Sequence, residues 1–390
     1  MVFSHIRDGL HALLVRGYGL IAPKQSVDKR FDFVSCAPFG PSHKDVKPSC
    51  NTVNWFVPPI GYGSGGHLNI VRFIKLLEDD GFECRIVVTN EFRPYDNKKI
   101  ASQISEWFAP VKAKVYLHPQ DTIPAAHISV ATGWQTAYPV KYFSGSAHKY
   151  YFVQDYEPYF YPLGTEYFLA EDTYRFGFTG IALGSWLADM LSAQYGMRMY
   201  GIGFSYDDDL YTPRLDKDCS GPKRLLFYAR PETPRRAFEL GVLAINDVKK
   251  HMPSVDVLLV GGNLSRYNLP FSFKDCGRLP ISELPHLYSQ CDAALVLSMT
   301  NLSLLPLEIM ACGCPVISNC GPNVEWMLNS TNCKLSRPTV SGLAEAIISV
   351  LSDERERKQL IKNGLDYARS TSWKEEAKKV AQIFRQTYNE

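Results

Sequence analysis

Short apolar runs alternate with stretches of helical spacing twice along this chain, once from Val53 and again after Pro213. Strands that are apolar throughout need both faces covered, and intervening helices supply the cover. The pattern therefore calls for parallel, doubly wound sheets. In the first series VNWFVPP is a strand and GYGSGG a flexible loop, and residues 67–80 carry apolar side chains at 70, 73, 74 and 77. That is helix spacing, with Gly81 as the stop. Further strands are expected at 84–89, 113–117, 127–131 and 150–154, with a helix at 100–107. The second series offers strands at 224–229, 255–260, 293–298 and 315–318, and a helix at 236–251.

The expected organisation is an arm over 1–50, with a helix-like stretch at 4–15, then an α/β domain at 51–212 and another at 217–372. The join falls near 205–220, and an amphipathic helix within 373–390 is able to pack back on the first domain. Both domains read as Rossmann-like, and two facing sheets of this kind bind ligands in the cleft outside their strand carboxyl ends.

Apolar residues make up 45% of the 390 and charged ones 21%, the balance of a folded chain. Lys plus Arg number 42 against 40 acids, which argues against a dedicated nucleic-acid binder. No apolar run reaches the roughly 18 residues a membrane span needs, and the first twenty residues lack a signal-peptide pattern. A cytoplasmic protein is expected, with peripheral contact at the inner membrane face left open. The ten cysteines show no CxxC pair or zinc spacing, so they read as free thiols in a reducing compartment.

Four clusters carry chemistry. The loop Gly61-Tyr-Gly63-Ser-Gly65-Gly66 fits GxGxxG between a strand and a helix, which suits a phosphate at a helix N-terminus. A bare turn fits too, and a dinucleotide reading would want an acid that Glu91 supplies only approximately. In LLPLEIMACGCPVIS, Pro306 and Gly313 bracket a short helix with Glu308 in its first turn. That carboxylate either complements the helix dipole or accepts both ribose hydroxyls of a nucleotide. Arg230, Arg235 and Arg236 follow a strand end and suit a diphosphate, against the alternative of solvated arginines. Gln154-Asp155-Tyr156-Glu157-Pro158 with Tyr159, Phe160 and Tyr161 places carboxylates and rings where a sugar could sit, or else forms a turn with buried tyrosines.

Taken together, these segments resemble the GT-B-fold glycosyltransferases of family 4. The stretch GRLPISELPHLYSQCDAALVLSMTNLSLLPLEIMACGCPVIS looks like that family's donor region. NWFVPPIGYGSGGH, YFVQDYEPYFYPLG and FYARPETPRRAFEL are similar to the bacterial rhamnosyltransferases of WsaF type. The resemblance implies a nucleotide-diphosphate sugar held mainly by the second domain. Glu308 then takes the ribose, Arg230 and Arg235 the phosphates, and the backbone at Arg278 and Leu279 the base. Leu304 and Leu305 line the donor site, and Gly65 and Gly66 close on it from the first domain. His67, Gln154, Asp155, Glu157 and Tyr159 fall on the sugar or acceptor side, with Asp155, Arg230 and Arg235 expected to be catalytic.

Two positions depart from the family pattern. Thr300 stands where a first glutamate of the pair is usual, which fits a donor with different hydroxyls, such as a 6-deoxysugar. Gln154 replaces a histidine, which leaves the acid–base group unassigned. The DxD within Asp207-Asp208-Asp209 holds a metal in other glycosyltransferases, but in an interdomain linker it reads as a solvated acidic turn.

The expected activity is metal- and cofactor-independent transfer of a sugar, L-rhamnose from dTDP-L-rhamnose, with retention, onto a bacterial surface polysaccharide. The acceptor is a glycan that a lipid can carry, no nucleic acid is involved, and a homo-oligomer is compatible with the sequence. The rivals are a nucleotide-sugar 2-epimerase on the same scaffold and a non-catalytic sugar-nucleotide-binding subunit.

Overall fold

The computed structural model describes residues 27–35, 48–89, 96–214 and 220–389. The helix expected at 4–15, Glu91, Cys36 and Cys219 lie outside them. Two sheets, each parallel throughout, account for the strands. The first holds β1 (Thr52–Val57), β2 (Glu83–Val88), β3 (Lys114–Leu117), β4 (Ile128–Ala131), β5 (His148–Val153), β6 (Thr179–Leu183) and β7 (Met199–Ile202), in the order β3-β2-β1-β4-β5-β6-β7. The second holds β8 (Arg224–Ala229), β9 (Asp256–Gly261), β10 (Lys274–Gly277), β11 (Ala293–Leu295), β12 (Val316–Asn319) and β13 (Cys333–Ser336), in the order β10-β9-β8-β11-β12-β13.

The order reverses beside β1 in one sheet and beside β8 in the other, and the loops leaving these strands are where an open α/β sheet receives ligands. β1 is buried along its whole length, as a central strand covered on both faces must be. The helix Gly65–Asp79 after it starts where Ser64 Oγ accepts the His67 backbone N–H and buries Ile70, Phe73, Ile74 and Leu77. The chain turns back at Gly81, whose φ of 91° suits only glycine.

The C-terminal helix Trp373–Arg385 lies across the first sheet. Phe384 packs its ring 6.4 Å from Trp55 and 5.1 Å from Tyr150, and Arg385 pairs with Asp80 at 2.7 Å. Of the arm, Phe33 is buried against Trp134 and Tyr138, and Arg30 pairs with Glu166. All eight described cysteines are free, five of them buried. Among the described residues no helix is long and apolar enough to cross a membrane.

Several sequence expectations shift by a few residues for local reasons. The helix expected at 236–251 begins at Phe238, because Ala237 adopts φ 47° after a 3-10 turn over Pro234–Arg236. The strand expected to reach Ser298 stops at Leu295, since the following residues bend into a polar knot described below. β5 ends at Val153, leaving Gln154 and Asp155 in the loop. β6, β7, β10 and β13 were not expected; each is four or five residues long and is broken by Gly, Lys or Ser.

Candidate active site

The chain leaving β8 forms a cationic elbow. Arg230 donates to Tyr228 Oη at 3.1 Å, and its Nε lies 3.2 Å from Glu232. Arg278, arriving from the end of β10, pairs with the same Glu232 carboxylate at 2.7 Å. The shared carboxylate ties the elbow to an open depression of about 460 Å³ lined by Gly262, Asn263, Asp275, Gly277 and Arg278. Glycine is needed at its back wall: a Cβ on Gly262 would meet the Ala229 carbonyl oxygen at 2.6 Å and Pro231 at 2.7 Å.

Glu308 stands in the first turn of the helix Leu305–Ala311, beneath the interdomain linker. Pro306 occupies its second position rather than the first, and Gly313, at φ 76°, follows its end. Desolvation pushes the Glu308 carboxyl up to about 8, against a hydrogen bond from Tyr211 and the charge of Arg72. Glu308 as a residue is half-buried. Leu305 is buried beside it and Leu304 half-buried.

Opposite, the first domain meets the second through a buried polar junction. Asp155 Oδ1 accepts the backbone N–H groups of Tyr156 and Asn301, both at 2.8 Å, and Oδ2 accepts the Thr300 hydroxyl at 2.9 Å. Arg235 Nε lies 3.5 Å from the same Oδ2, an ion pair rather than a hydrogen bond. Asn301 donates to the carbonyls of Leu183 at 2.6 Å and Gln154 at 2.9 Å, and its own oxygen accepts the Trp326 indole N–H at 3.0 Å. Ser298, Thr300 and Asn301 are each 2% exposed or less. Asn319 and Asn323 hold the carbonyls of this knot, and Arg236 donates to Ser298 Oγ at 2.6 Å. A second chain of contacts runs from the Gly66 carbonyl through Gln154 and Asn69 to Arg72, which grips Asp207 with one nitrogen at 2.9 and 2.8 Å.

The family of the chain follows from its sequence over both halves. Residues 57–184 match the family model of the WsaF N-terminal domain, and residues 223–348 match that of the WsaF C-terminal domain. The chain belongs to the WsaF family. It is 34% identical over 345 residues to the O-antigen biosynthesis protein RfbC of Myxococcus xanthus, covering 86% of this chain and 27% of that protein. It thus spans about a quarter of that relative's length. Among solved structures, HepE of Anabaena, in complex with UDP and glucose, superposes with a TM-score of 0.67 at 15% identity, over 85% of this chain and 99% of that one. Sucrose-phosphate synthase of Thermosynechococcus elongatus gives 0.65 at 15% identity, over 87% and 99%. The fold of this WsaF-family chain is GT-B, as its sequence led us to expect.

Within that frame the structure brings together Arg230, Arg278 and the Gly261–Gly262 wall, and it seats Arg235 against the first domain. Gly65 and Gly66 lie exposed at a helix start; a Cβ on Gly65 would meet nothing within 4 Å. Tyr159 is exposed, and Phe160 carries the Arg235 guanidinium 4.1 Å from its ring centre. Leu279 is half-buried and packs on the core.

Two expectations need correction. Glu157 does not face a sugar: it is 6% exposed, accepts the Trp134 backbone N–H at 2.6 Å and the Tyr151 hydroxyl at 3.1 Å, and so serves the start of the helix Trp134–Tyr142. His67 turns into the first domain, its ring nitrogen 3.4 Å from the Pro58 carbonyl oxygen and its ring packed on Phe108, and burial lowers its pKa. Asp155, expected to be catalytic, has its oxygens held by three hydrogen bonds and an ion pair. Burial raises its pKa, opposed by Arg236 and Arg235.

The sequence reading missed Arg72, Asn301 and Trp326. Arg72 sits mid-helix with nothing around it in sequence to mark it. Asn301 and Trp326 act across the cleft, which no local pattern reports. Asp207, read as a solvated turn, is engaged by Arg72, while Asp208 and Asp209 are exposed.

Proposed function

We propose that this chain is a glycosyltransferase of bacterial surface-polysaccharide assembly, moving L-rhamnose from dTDP-L-rhamnose to a glycan acceptor with retention. One observation carries the reading most: Arg230 and Arg278 share Glu232, so the cationic elbow after β8 opens directly onto the depression behind Gly261–Gly262. A diphosphate suits the elbow and a base the depression, while the Glu308 carboxylate suits a ribose. The names of the relatives agree with this class of substrate, since RfbC is an O-antigen biosynthesis protein and HepE was solved with UDP and glucose.

In the reaction the bond from the anomeric carbon to the β-phosphate oxygen breaks and the acceptor oxygen takes its place. The acceptor's proton leaves with the nucleoside diphosphate. Charge gathers on that leaving group, so Arg230 and Arg235 supply the main electrostatic stabilisation. The exposed rings of Tyr159 and Phe160 offer the apolar face of an acceptor sugar a stacking surface beside Arg235. A lipid-linked acceptor would bring this rim to a membrane face.

The epimerase reading draws less support, because it needs acid–base carboxylates and histidines around the sugar, while His67 and Glu157 are turned into the first domain. A thermal-shift panel of dTDP, UDP and GDP sugars tests donor choice, since a ligand at 100 times its Kd adds about 2.7 kcal/mol. Transfer assayed with the preferred donor then tests activity, and donor alone tests isomerisation. Transfer should persist in EDTA; full loss restored by Mg²⁺ or Mn²⁺ would overturn metal independence. No stabilisation by any nucleotide sugar would overturn the whole reading.

A further inference from the structure

The junction between the domains does more than join them. Arg235 is carried by the second domain, yet both surfaces that hold its guanidinium belong to the first: the Asp155 carboxylate at 3.5 Å and the Phe160 ring at 4.1 Å. Its terminal nitrogens take no partner among the described residues. Asp155 in turn is fixed from the second domain, by the Thr300 hydroxyl at 2.9 Å and the Asn301 N–H at 2.8 Å. Each domain therefore orients a charged group of the other. We propose that Asp155 and Thr300 form a latch across the cleft that positions Arg235, so that its open guanidinium edge faces the leaving diphosphate only when the domains are closed.

A bare carboxylate beside a diphosphate site would repel the ligand, so its retention there needs a compensating gain. An arginine is charged at every working pH, and only its orientation can be tuned. Asp155 supplies that orientation, and Thr300 fixes the carboxylate oxygen nearest the guanidinium. Asp155 is thus a positioning residue rather than a proton acceptor.

This inference rests on the transferase reading for its kinetic consequence but not for its structural one. Asp155→Asn, close in size but uncharged, should lower kcat/KM for the donor about tenfold to a hundredfold, the range for losing a charge-assisted hydrogen bond. Most of the loss should fall in kcat, with the shape of the pH–rate profile retained. Thr300→Val, the milder variant, should cost roughly tenfold. The double variant should be no worse than Asp155→Asn, because Thr300 acts through Asp155. Losses that multiply, a vanished limb of the pH profile, or unchanged kinetics with only a lowered Tm would each overturn the latch.

Small-angle scattering of the full chain without ligand reads the latch independently. Both variants should show a larger radius of gyration than the parent, and unchanged values would overturn the proposal. If the parent binds no nucleoside diphosphate in calorimetry, the transferase reading fails, while scattering still decides the latch.

Discussion

Glu157 and Glu308 sit in opposite halves of the molecule, each beside the start of a helix, and burial pushes both carboxyls up to about 8. They do different work. Glu157 is sealed, and its oxygens are already spent on Trp134 N–H and Tyr151 Oη. Glu308 meets Tyr211, and as a residue it is only half-buried. A perturbed acid marks a functional site only when it has hydrogen-bonding capacity left for a ligand. By that test Glu308 qualifies and Glu157 does not.

Truncating both acids gives the sharpest separation. Two ribose hydroxyl hydrogen bonds to the Glu308 carboxyl, mostly protonated near neutral pH, are worth about 0.5–1.5 kcal/mol each. Glu308→Ala should therefore weaken nucleoside-diphosphate binding roughly thirtyfold at the middle of that range, at 1.4 kcal/mol per decade. Calorimetry with dTDP on the folded variant checks it, and parental affinity would leave Glu308 as a helix-end charge. Glu157→Ala should instead strand two buried donors, lower stability by about 1–3 kcal/mol each, and leave affinity intact. If Glu157→Ala weakened dTDP binding while folding normally, the contrast between the two acids would collapse.

A smaller effect is expected from the elbow. Arg230→Ala and Arg235→Ala should each slow transfer about tenfold or more, since a charged donor to the leaving group is removed. The two need not respond alike, for Arg230 is held by Glu232 and Tyr228 within its own domain, whereas Arg235 depends on the first domain. Arg235→Ala should therefore also raise the radius of gyration, and Arg230→Ala should not. Equal scattering from both variants would blur that distinction.

The same division explains what was legible in the sequence. The two parallel sheets were, because apolar runs of the VNWFV and RLLFYA kind have no other comfortable home. The elbow and the first-turn position of Glu308 were legible too, since Pro, Gly and Arg at strand-to-helix turns act locally. The latch was not, as Asp155 lies 145 or more residues from Thr300 and Asn301 and meets them only through the assembled cleft. Glu157 misled for a related reason. An acid after a strand looks alike whether it faces a ligand or a neighbouring helix start, and only packing distinguishes the two.

The subtlest difference between the two acids should appear in the pH dependence of stability. The folded-state pKa of Glu157, about 8, lies above its ordinary 4.5, so the native protein holds this proton more tightly than the unfolded chain does. Stability from this group is complete below that ordinary value and drains away as pH rises toward 8. The slope is at most about 1.4 kcal/mol per pH unit. Glu157→Gln cannot ionise, so its stability should fall less steeply than the parent's across this window, as thermal unfolding at a series of pH values would record. Glu308→Gln should likewise flatten its own share of the slope. A parental slope in Glu157→Gln would mean that the enclosed carboxyl is ionised after all. The ion would then have to be held by the Trp134 N–H and the Tyr151 hydroxyl alone.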